Sequence, residues 1–458
     1  MDHAVNSIGV SLSRSIARLL LARRDAGLPA ELRAKARLHI ADAVGIALAA
    51  LHTTTQGREA IASVSAGGAS GQCSVIGDSA KLPPSLAAFA NSSLIHILDF
   101  DDIHDIARLH PSSATLPAAL AAAELCGASG AAVVDGVALG NELMCRLGLV
   151  WNPTGTGPVS DWFTTQLFGY MGATIAAGVV LNMNEDQWVS ALGLAYMQAA
   201  GGKEAGFGVG ATARAIYPAF AAMGGVHACM LARAGIVGPQ GSLDGNAGLF
   251  RILFGRQADD KQLGTLLDRE AWLFRDTEIK PWPCCRLSHP YVAAAQALRR
   301  QLNNAEPVRI QVAVNASAAK LCHPLAQRRR PQTLQDAKYS VPFMTAFALS
   351  RDTLDLSTIN DGMLQDKQAH RLADLVEIAD TLPDTPGHPP AEIVVTLGDG
   401  STIASPRNWQ SAISEEVVHR KFNACLSHAG TQNADPAWQR LNQLDAETSV
   451  SAVLSSLQ

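Results

Sequence analysis

The chain is poor in aromatic and charged residues. Aromatic side chains make up 5% of its 458 residues and charged ones 17%, and the formal net charge is only −5. Nucleic-acid-binding proteins instead carry basic patches, often interleaved with aromatic residues. The longest basic run, Arg328-Arg329-Arg330, stands just before a proline, and we interpret it as a solvated loop. The composition argues against nucleic-acid binding and predicts a soluble, helix-rich enzyme.

Closely spaced cysteine pairs are also missing. The eight cysteines are scattered, and only Cys284 and Cys285 are adjacent. Neighbouring cysteines rarely bridge each other, and structural zinc sites need ligands at defined short spacings. We therefore predict free thiols in a reducing, cytoplasmic compartment, with Cys284 and Cys285 contributing to packing.

Long apolar runs are absent as well. The stretches 114–123 and 171–182 are too short, or too rich in alanine, to cross a bilayer. Near the N-terminus, arginines and leucines follow helical spacing, without the small-residue cleavage pattern of a signal peptide. We expect an amphipathic first helix and no membrane-spanning segment.

Nucleotide and metal motifs do not occur either. The glycine-rich segment 201–210 lacks the Gly-Lys-Ser/Thr ending of a phosphate loop, and no strand precedes it. The chain has no dinucleotide-binding fingerprint and no clear metal-ligand spacing. We predict neither a cofactor nor a metal, and we interpret 201–210 as a flexible loop that approaches the active site.

Apolar residues recur at helical spacing through most of the chain. The first part predicts helices at 32–50, 86–98, 115–125, 131–150, 165–182, 185–200 and 213–233. Later, residues 308–314 alternate as in a strand, and 393–397 with 401–403 predict a hairpin around Asp399-Gly400. The remaining predicted segments are helices at 287–303, 341–350 and 368–380, a loop at 381–391, and helix again over 411–457.

These elements predict a mainly α fold. A large all-α helical domain spans residues 1–270, and a smaller α+β lid domain spans 271–405. C-terminal helices over 406–458 then return to the helical domain. The sequence shows no internal repeat.

An acidic cluster stands out against the apolar background. Its titratable members are Asp99, Asp101, Asp102, His104, Arg108 and His110. Buried carboxylates cost several kcal/mol unless they are paired or used in chemistry. Pro111 and the serines after it are typical of a helix start, where free N–H groups favour an anion. We interpret the cluster as an active site in which His110 could face a substrate carboxylate.

The same segment carries a family resemblance. His96-Ile97-Leu98-Asp99-Phe100-Asp101-Asp102 and His110-Pro111-Ser112-Ser113 resemble the signature of the MmgE/PrpD family. Further matches are Lys280-Pro281-Trp282-Pro283-Cys284 with His289, Asp336-Ala337-Lys338-Tyr339-Ser340, and Arg420-Lys421-Phe422. The family includes 2-methylcitrate dehydratase, cis-aconitate decarboxylase and iminodisuccinate epimerase. The resemblance implies a helical domain with an α+β lid, a homodimer, and proton removal beside a carboxylate without an organic cofactor.

The resemblance also implies catalytic roles. Asp99 is expected to line the site and orient His110, and either His110 or Lys280 to take the α-proton. Tyr217 is a further acid–base candidate. Alternatives stay open, because the aspartates could pair with Arg108 or Lys280, His110 could be a hydrogen-bonded helix-start residue, and Lys280 could lie on the surface. His96 and His104 are weaker candidates.

Four residues are expected to bind the substrate. Arg108 and Arg214 could grip carboxylates with two parallel hydrogen bonds, although Arg108 could equally neutralise the aspartates. Asp102 and Thr165 complete the predicted binding set.

Two departures from the family pattern lie near these residues. Phe163 stands where relatives often carry a histidine, and Arg214-Ala215-Ile216-Tyr217 stands where they carry Lys-Pro-x-His. Arginine keeps the charge but cannot act as a base at neutral pH, whereas Tyr217 could substitute in part.

We therefore expect an enzyme that abstracts a proton next to a carboxylate of a small di- or tricarboxylate. A lyase of the dehydratase type is the first hypothesis. The Asp102-to-His110 spacing and Arg108 resemble the epimerase branch, so epimerisation is the second. A catalytically silent carboxylate-binding protein is the third, because Phe163 and Tyr217 replace family histidines.

Overall fold

A computed structural model describes residues 10–151, 161–207, 211–303, 305–405, 414–431 and 433–458. Its buried apolar side chains form two clusters. One belongs mainly to the N-terminal helices together with the C-terminal ones, and the other lies within 284–395. The predicted fold class, a large helical part with a smaller α+β part, is confirmed. The domain boundaries at 270 and 405 stay predictions.

The helical part is built from helices of very different lengths. They are α1 (Leu12–Ala26), α2 (Ala30–Thr53), α3 (Thr55–Ser65), α4 (Pro84–His96), α5 (Ser112–Cys126), α6 (Gly130–Trp151), α7 (Thr164–Val180), α8 (Glu185–Tyr196), α9 (Glu204–Phe207), α10 (Tyr217–Arg233), α11 (Leu249–Phe254) and α12 (Asp260–Leu267). Four two-residue strands pair as β1 (Cys73–Ser74) with β2 (Lys81–Leu82), and β3 (Ile103–His104) with β4 (Thr277–Glu278).

Small residues let the central helices approach closely. A Cβ atom added to Gly140 of α6 would lie 2.6 Å from the carbonyl oxygen of Gly172 on α7. Such a contact is too short for a carbon atom, so the two backbones would have to separate. The abundance of alanine and glycine and the scarcity of aromatic residues therefore follow from close helix packing.

The α+β part combines a four-stranded sheet with short helices. Its elements are α13 (His289–Leu302), β5 (Pro307–Val314), α14 (Ala316–Ala319), α15 (Leu325–Arg329), α16 (Leu334–Lys338), α17 (Val341–Ser350), α18 (Lys367–Asp374), β6 (Val376–Asp380), β7 (Glu392–Leu397) and β8 (Thr402–Ala404). The strand order is β6-β5-β7-β8, with β5 and β6 parallel and the other pairs antiparallel. The predicted strand at 308–314 and the hairpin around Gly400 are therefore confirmed.

The prediction of a helix over 368–380 is wrong in its second half. Helix α18 ends at Asp374, and β6 follows, pairing with β5 from Ile310 opposite Val376 to Val314 opposite Asp380. Val376 and Ile378 fit an apolar helical face as well as a strand, so spacing alone did not separate the two. Pairing with β5 decides the outcome.

The arginine run 328–330 is also not a freely solvated loop. Arg328 and Arg329 end the short helix α15, and their guanidinium groups donate to the carbonyls of Tyr339 and Val376. Arg330 pairs with Asp374. The run therefore joins α15 to neighbouring segments of the α+β part.

The chain ends in α19 (Glu415–His428), α20 (Asp435–Asn442) and α21 (Val450–Ser455), whose buried residues join the first core. Glu415 and Glu416 lie in the first turn of α19, as expected, since carboxylates there complement the helix dipole. The eight cysteines are free thiols. Within the described residues, every helix is too short or too polar to cross a membrane. Cytoplasmic location and the homodimer stay predictions.

Candidate active site

The acidic cluster forms a turn between α4 and α5, and this turn has an unusual backbone. Asp99 and Arg108 adopt left-handed conformations with φ of 54° and 55°. Non-glycine residues rarely adopt this conformation unless the surrounding structure holds them there. In this turn, β3 is fixed by pairing with β4, and the Arg108 N–H donates to the carbonyl of His104 at 2.7 Å. The turn is therefore held in a defined shape by its neighbours.

A cavity of about 160 Å³ opens beside this turn, where the helical and α+β parts meet. Six of the eight predicted site residues line it: Asp99, Arg108, His110, Thr165, Arg214 and Tyr217. The α+β part contributes Cys285, Arg286, Leu287, Tyr339, Gly387 and His388. The other two predicted residues, Lys280 and Asp102, are absent from the lining.

Lys280 is fully buried and paired with Asp99. Its Nζ donates to Asp99 Oδ1 at 2.6 Å and to the Asp99 carbonyl at 3.0 Å. Burial acts to lower the pKa of Lys280, but the charges of Asp99 and Asp101 and the hydrogen bond to Asp99 outweigh it and raise that pKa. Lys280 is therefore a buried cation that holds Asp99 in place, and its role as the group that takes the α-proton stays a prediction.

Asp99 is the anionic half of this pair. Burial acts to raise the pKa of Asp99, but Lys280 and the nearby His110 and His96 lower it well below its ordinary range. Asp99 lines the cavity as an ionised carboxylate. Its Oδ1 is engaged by Lys280, and the hydrogen bond at Nδ1 of His110 is accepted by the Asp102 carbonyl, so a role of Asp99 in orienting His110 stays a prediction.

Asp102 lies beneath the cavity instead of on its surface. Its carboxylate accepts hydrogen bonds from the hydroxyl and N–H of Ser112, at 2.5 and 3.2 Å, and lies 2.7 Å from Nδ1 of His39. Both carboxylate oxygens of Asp102 are engaged by His39 and Ser112, and the residue is absent from the cavity lining, so direct substrate contact by Asp102 is not supported. Asp102 instead fixes the start of α5, and its backbone carbonyl accepts a hydrogen bond from the His110 ring.

His110 is oriented by two groups. Its Nδ1 lies 2.6 Å from the Asp102 carbonyl, and its backbone N–H donates to the Thr165 hydroxyl at 2.9 Å. A carbonyl can only accept, so Nδ1 carries the proton and Nε2 is the ring's unprotonated nitrogen. Thr165 thus positions His110, a role that the sequence did not predict.

Asp101 is the carboxylate nearest to the two site histidines. Its Oδ2 lies 2.8 Å from Nδ1 of His96, and its Oδ1 lies 3.6 Å from Nδ1 of His110. Burial acts to raise the pKa of Asp101, but His96 and His110 lower it. Burial lowers the pKa of His110 to about 4, with only partial opposition from Asp101. His110 is therefore neutral at neutral pH.

The same three residues are the described group closest to a metal-ligand arrangement. The ligand atoms of His96, Asp101 and His110 lie within 4.8 Å of one another. The Nδ1 atoms of both histidines are already engaged, by Asp101 and by the Asp102 carbonyl. A cation bound through Nδ1 would have to break both hydrogen bonds, whereas binding through Nε2 would leave them in place, as is usual for metal-bound histidines.

Arginines give the cavity its positive charge. Arg214 stacks on the ring of Tyr339, with 3.3 Å between Cζ and the ring centroid, and its Nη1 donates to the Gly206 carbonyl at 2.9 Å. Arg108 reaches Ser317 of the α+β part at 3.2 Å. Within the described residues, the Nε atoms of Arg108 and Arg214 are buried without a hydrogen-bond partner. Unpaired buried donors are costly, and a bound carboxylate would satisfy them.

Comparison with known proteins now identifies the family. The MmgE/PrpD N-terminal domain matches residues 14–262, and the MmgE/PrpD C-terminal domain matches residues 282–445. The chain belongs to the MmgE/PrpD family. The motifs around Asp99 and His110 therefore pointed to the right family.

Several curated relatives are named as cis-aconitate decarboxylases or as similar to them. A cis-aconitate decarboxylase-like protein of Aspergillus oryzae is 28% identical over 430 residues, which cover 87% of each chain. Cis-aconitate decarboxylase of Aspergillus terreus is 31% identical over 269 residues, covering 55% of this chain and 54% of the relative. The Mus musculus cis-aconitate decarboxylase is 26% identical over 368 residues, covering 76% and 72%.

The two departures from the MmgE/PrpD motifs are neighbours in space. The rings of Phe163 and Tyr217 stack, with centroids 4.1 Å apart and planes 11° from parallel. Burial raises the pKa of Tyr217 above its ordinary range, so its hydroxyl stays protonated and can donate a hydrogen bond but not act as a base. Phe163 forms part of the wall and leaves the cavity open. The two replacements therefore create one aromatic surface.

Other lining residues were missed from the sequence. The sequence contained a hint of Lys203, since this residue lies in the glycine-rich segment that we expected to approach the active site. Residues 208–210 of that segment lie outside the described residues. Tyr339 was also indicated by the sequence, because it lies in the Asp336–Ser340 segment that matches the family motifs. Asp105 and Arg286 had none, because their two hydrogen bonds of 2.8 and 2.6 Å join positions far apart in the chain. Burial keeps Cys285 a thiol by raising its pKa, which agrees with a packing role.

Proposed function

We propose that this protein is a lyase acting on a small di- or tricarboxylate through a carbanion formed next to a carboxylate. One observation carries the proposal: a single cavity holds two arginines with unsatisfied buried N–H groups and a neutral histidine. The arginines suit two carboxylates, and positive charge near the reacting carbon stabilises the dianion that proton loss creates. A neutral imidazole can accept that proton.

The names of the relatives support a lyase over other classes. Several of them are cis-aconitate decarboxylases, which makes cis-aconitate the first compound to test. Phe163 and Tyr217 form an aromatic surface at positions where the family motif has histidines. Because this chain departs from the motif there, we propose the dehydratase type, with a tricarboxylate related to cis-aconitate as substrate. Epimerisation is the second candidate. The spacing from Asp102 to His110 resembles the epimerase branch, and Arg108, which lies within this segment, lines the cavity.

Product analysis tests the proposal. The purified protein is incubated with cis-aconitate, citrate-like and aspartate-derived compounds, and products are followed by NMR. A new alkene or a hydrated product supports dehydratase chemistry, loss of carbon dioxide supports the decarboxylase type, and inversion at one carbon supports the epimerase. Ligand binding without any turnover would instead support the silent carboxylate-binding protein.

Arg214→Lys is expected to raise KM for the substrate by about 10–150-fold, the loss expected for about 1.5–3 kcal/mol of charge-assisted hydrogen bonding. Lysine keeps the positive charge but cannot reproduce the planar, two-donor contact or the stacking on Tyr339. Steady-state kinetics measure the effect. Arg309→Lys is the matched control, because Arg309 is an exposed residue of β5 and pairs with Glu377. An unchanged KM in Arg214→Lys would show that Arg214 is structural.

A further inference from the structure

The proposed lyase needs two proton-transfer groups, one at the carbon and one at the group that leaves. Of the other titratable residues on the cavity, Asp99 is paired with Lys280, and Asp105 is paired with Arg286 and lies 3.9 Å from Nδ1 of His388, so few side chains are left for the second position. Burial holds the pKa values of Tyr217, Tyr339 and Cys285 above their ordinary ranges, and arginines do not release protons at neutral pH. His110 can fill one of the two positions.

Lys203 also lines the cavity, and its backbone is fixed to the start of α7. The Lys203 N–H donates to the Asp161 carbonyl at 2.8 Å, and the Phe163 N–H donates to the Gly201 carbonyl at 2.7 Å. Between them, Trp162 and Gly202 form an antiparallel bridge. This short ladder places the lysine on the cavity next to the aromatic surface of Phe163 and Tyr217, so Lys203 is positioned and not merely nearby.

The groups that face Lys203 are mostly cations. Arg214 and Arg108 belong to the cavity, Lys320 comes from the α+β part, and Cys285 is the opposing thiol. Burial, followed by the charge of Arg214, lowers the pKa of Lys203 to about 8. Among the described residues, no carboxylate forms an ion pair with its amino group. Lys203 can therefore exist as either amine or ammonium near neutral pH.

The other buried lysines do not compete for this role. Lys280 is held as a cation by Asp99 and is absent from the cavity lining. Lys338 donates from Nζ to the Leu98 carbonyl at 2.9 Å and borders a separate cavity. Only Lys203, among the described lysines, lines the cavity that holds His110, Arg108 and Arg214.

We propose that Lys203 is a further catalytic residue, whose amino group is the second proton-transfer group of the cavity beside His110. This inference rests on the proposed function. It assigns proton transfer to a side chain on the face of the cavity where Phe163 and Arg214 replace the family's histidine and lysine.

The proton and electron balance is simple for each lyase outcome. In dehydration, one group takes the α-proton, the C–H electron pair forms the C=C bond, and the β-hydroxyl leaves with a proton from the other group as water. In decarboxylation, the C–C bond to the carboxylate breaks, carbon dioxide leaves, and the electron pair on carbon takes a proton from the Lys203 ammonium. Water then returns the proton to the amine.

Three variants test the assignment. Lys203→Arg keeps the charge but cannot exchange a proton at neutral pH, so kcat should fall by about 10²–10⁴-fold while KM changes little. The wild-type pH profile should show a limb near pH 8 that this variant loses. Lys203→Ala should regain activity when ethylamine is added, which a merely structural lysine would not allow.

Lys320→Met is the matched control, because Lys320 is exposed and does not line the cavity. It should keep kcat and shift the limb of the pH profile to higher pH, because removing one cation near Lys203 raises the pKa of that lysine. A Lys203→Arg variant with wild-type kcat and an unchanged limb would overturn the assignment, as would Lys203→Ala that is folded, inactive and not rescued by ethylamine. An inactive wild-type protein across the substrate panel would overturn the proposed function itself.

Discussion

Replacing Lys280 by methionine is expected to lower the free energy of unfolding by about 3–5 kcal/mol, the cost of leaving a buried charge without its partner. The Lys280 side chain is fully buried and that of Asp99 is 3% exposed, so water cannot take the place of the missing ammonium. Urea unfolding of the wild type and Lys280→Met measures the difference. A lysine that only takes the α-proton could be replaced without loss of stability, whereas the buried pair with Asp99 couples Lys280 to the stability of the fold.

A double-mutant cycle separates the pair from other effects of the substitution. Lys280→Met with Asp99→Asn removes both charges and should recover a large part of the lost stability, whereas Lys280→Met alone should not. If the double variant is as unstable as the sum of the two single variants, the pair contributes nothing and the account of Lys280 is wrong.

The difference in unfolding free energy between the wild type and Lys280→Met should change with pH in one direction. Because Lys280 holds the pKa of Asp99 below its ordinary value of 3.8, the pair stabilises the wild type above about pH 4 and loses this effect as pH falls through the lowered pKa. In Lys280→Met, burial without a partner raises the pKa of Asp99, so protonation relieves the unpaired charge. The stability gap between the two proteins should therefore shrink as the pH is lowered toward 4.

His110→Gln is expected to reduce kcat by about 10²–10⁴-fold with little change in KM. Glutamine has similar size and can still donate to the Asp102 carbonyl, but it has no ring nitrogen that accepts a proton. Burial lowers the pKa of His110 to about 4, so the neutral, proton-accepting form persists at neutral pH and is lost as the pH falls through that value.

Two controls make the His110 result interpretable. Calorimetric binding of the substrate should be nearly unchanged in His110→Gln, because Arg108 and Arg214 hold the carboxylates. Urea unfolding should show a folded protein, since the backbone N–H that donates to Thr165 remains. Near-normal turnover in the folded variant would remove His110 from the mechanism.

Much of the fold could be predicted because it depends on local patterns. The helical periodicity of α2 and α4–α8 and the alternation of β5 each follow from which face is buried. The strand at 376–380 could not, because its apolar residues also suit a helix and only pairing with β5 distinguishes them. Predictions failed where a distant segment, and not local spacing, determines the structure.

The same distinction applies to the site. Asp99, Arg108 and His110 lie in one turn, and sequence motifs placed them together correctly at the cavity. Their pairing could not be predicted, because Lys280 reaches Asp99 from 181 positions away and the Asp102 backbone carbonyl accepts the hydrogen bond from the His110 ring. Lys203 was overlooked because Arg108, Arg214 and Lys320 come together around it only in the folded chain.

Solvent deuterium exchange tests the central claim most directly, since every candidate reaction handles a proton at the carbon beside a carboxylate. The wild type and His110→Gln are incubated in D2O with cis-aconitate and related di- and tricarboxylates, and proton NMR follows the α-position or the α-carbon of the product. We expect enzyme-dependent deuterium incorporation, which His110→Gln loses if the α-proton is abstracted and which Lys203→Arg loses if carbon dioxide leaves instead. Binding of these carboxylates without any incorporation by the wild type would contradict it and favour a protein that only binds them.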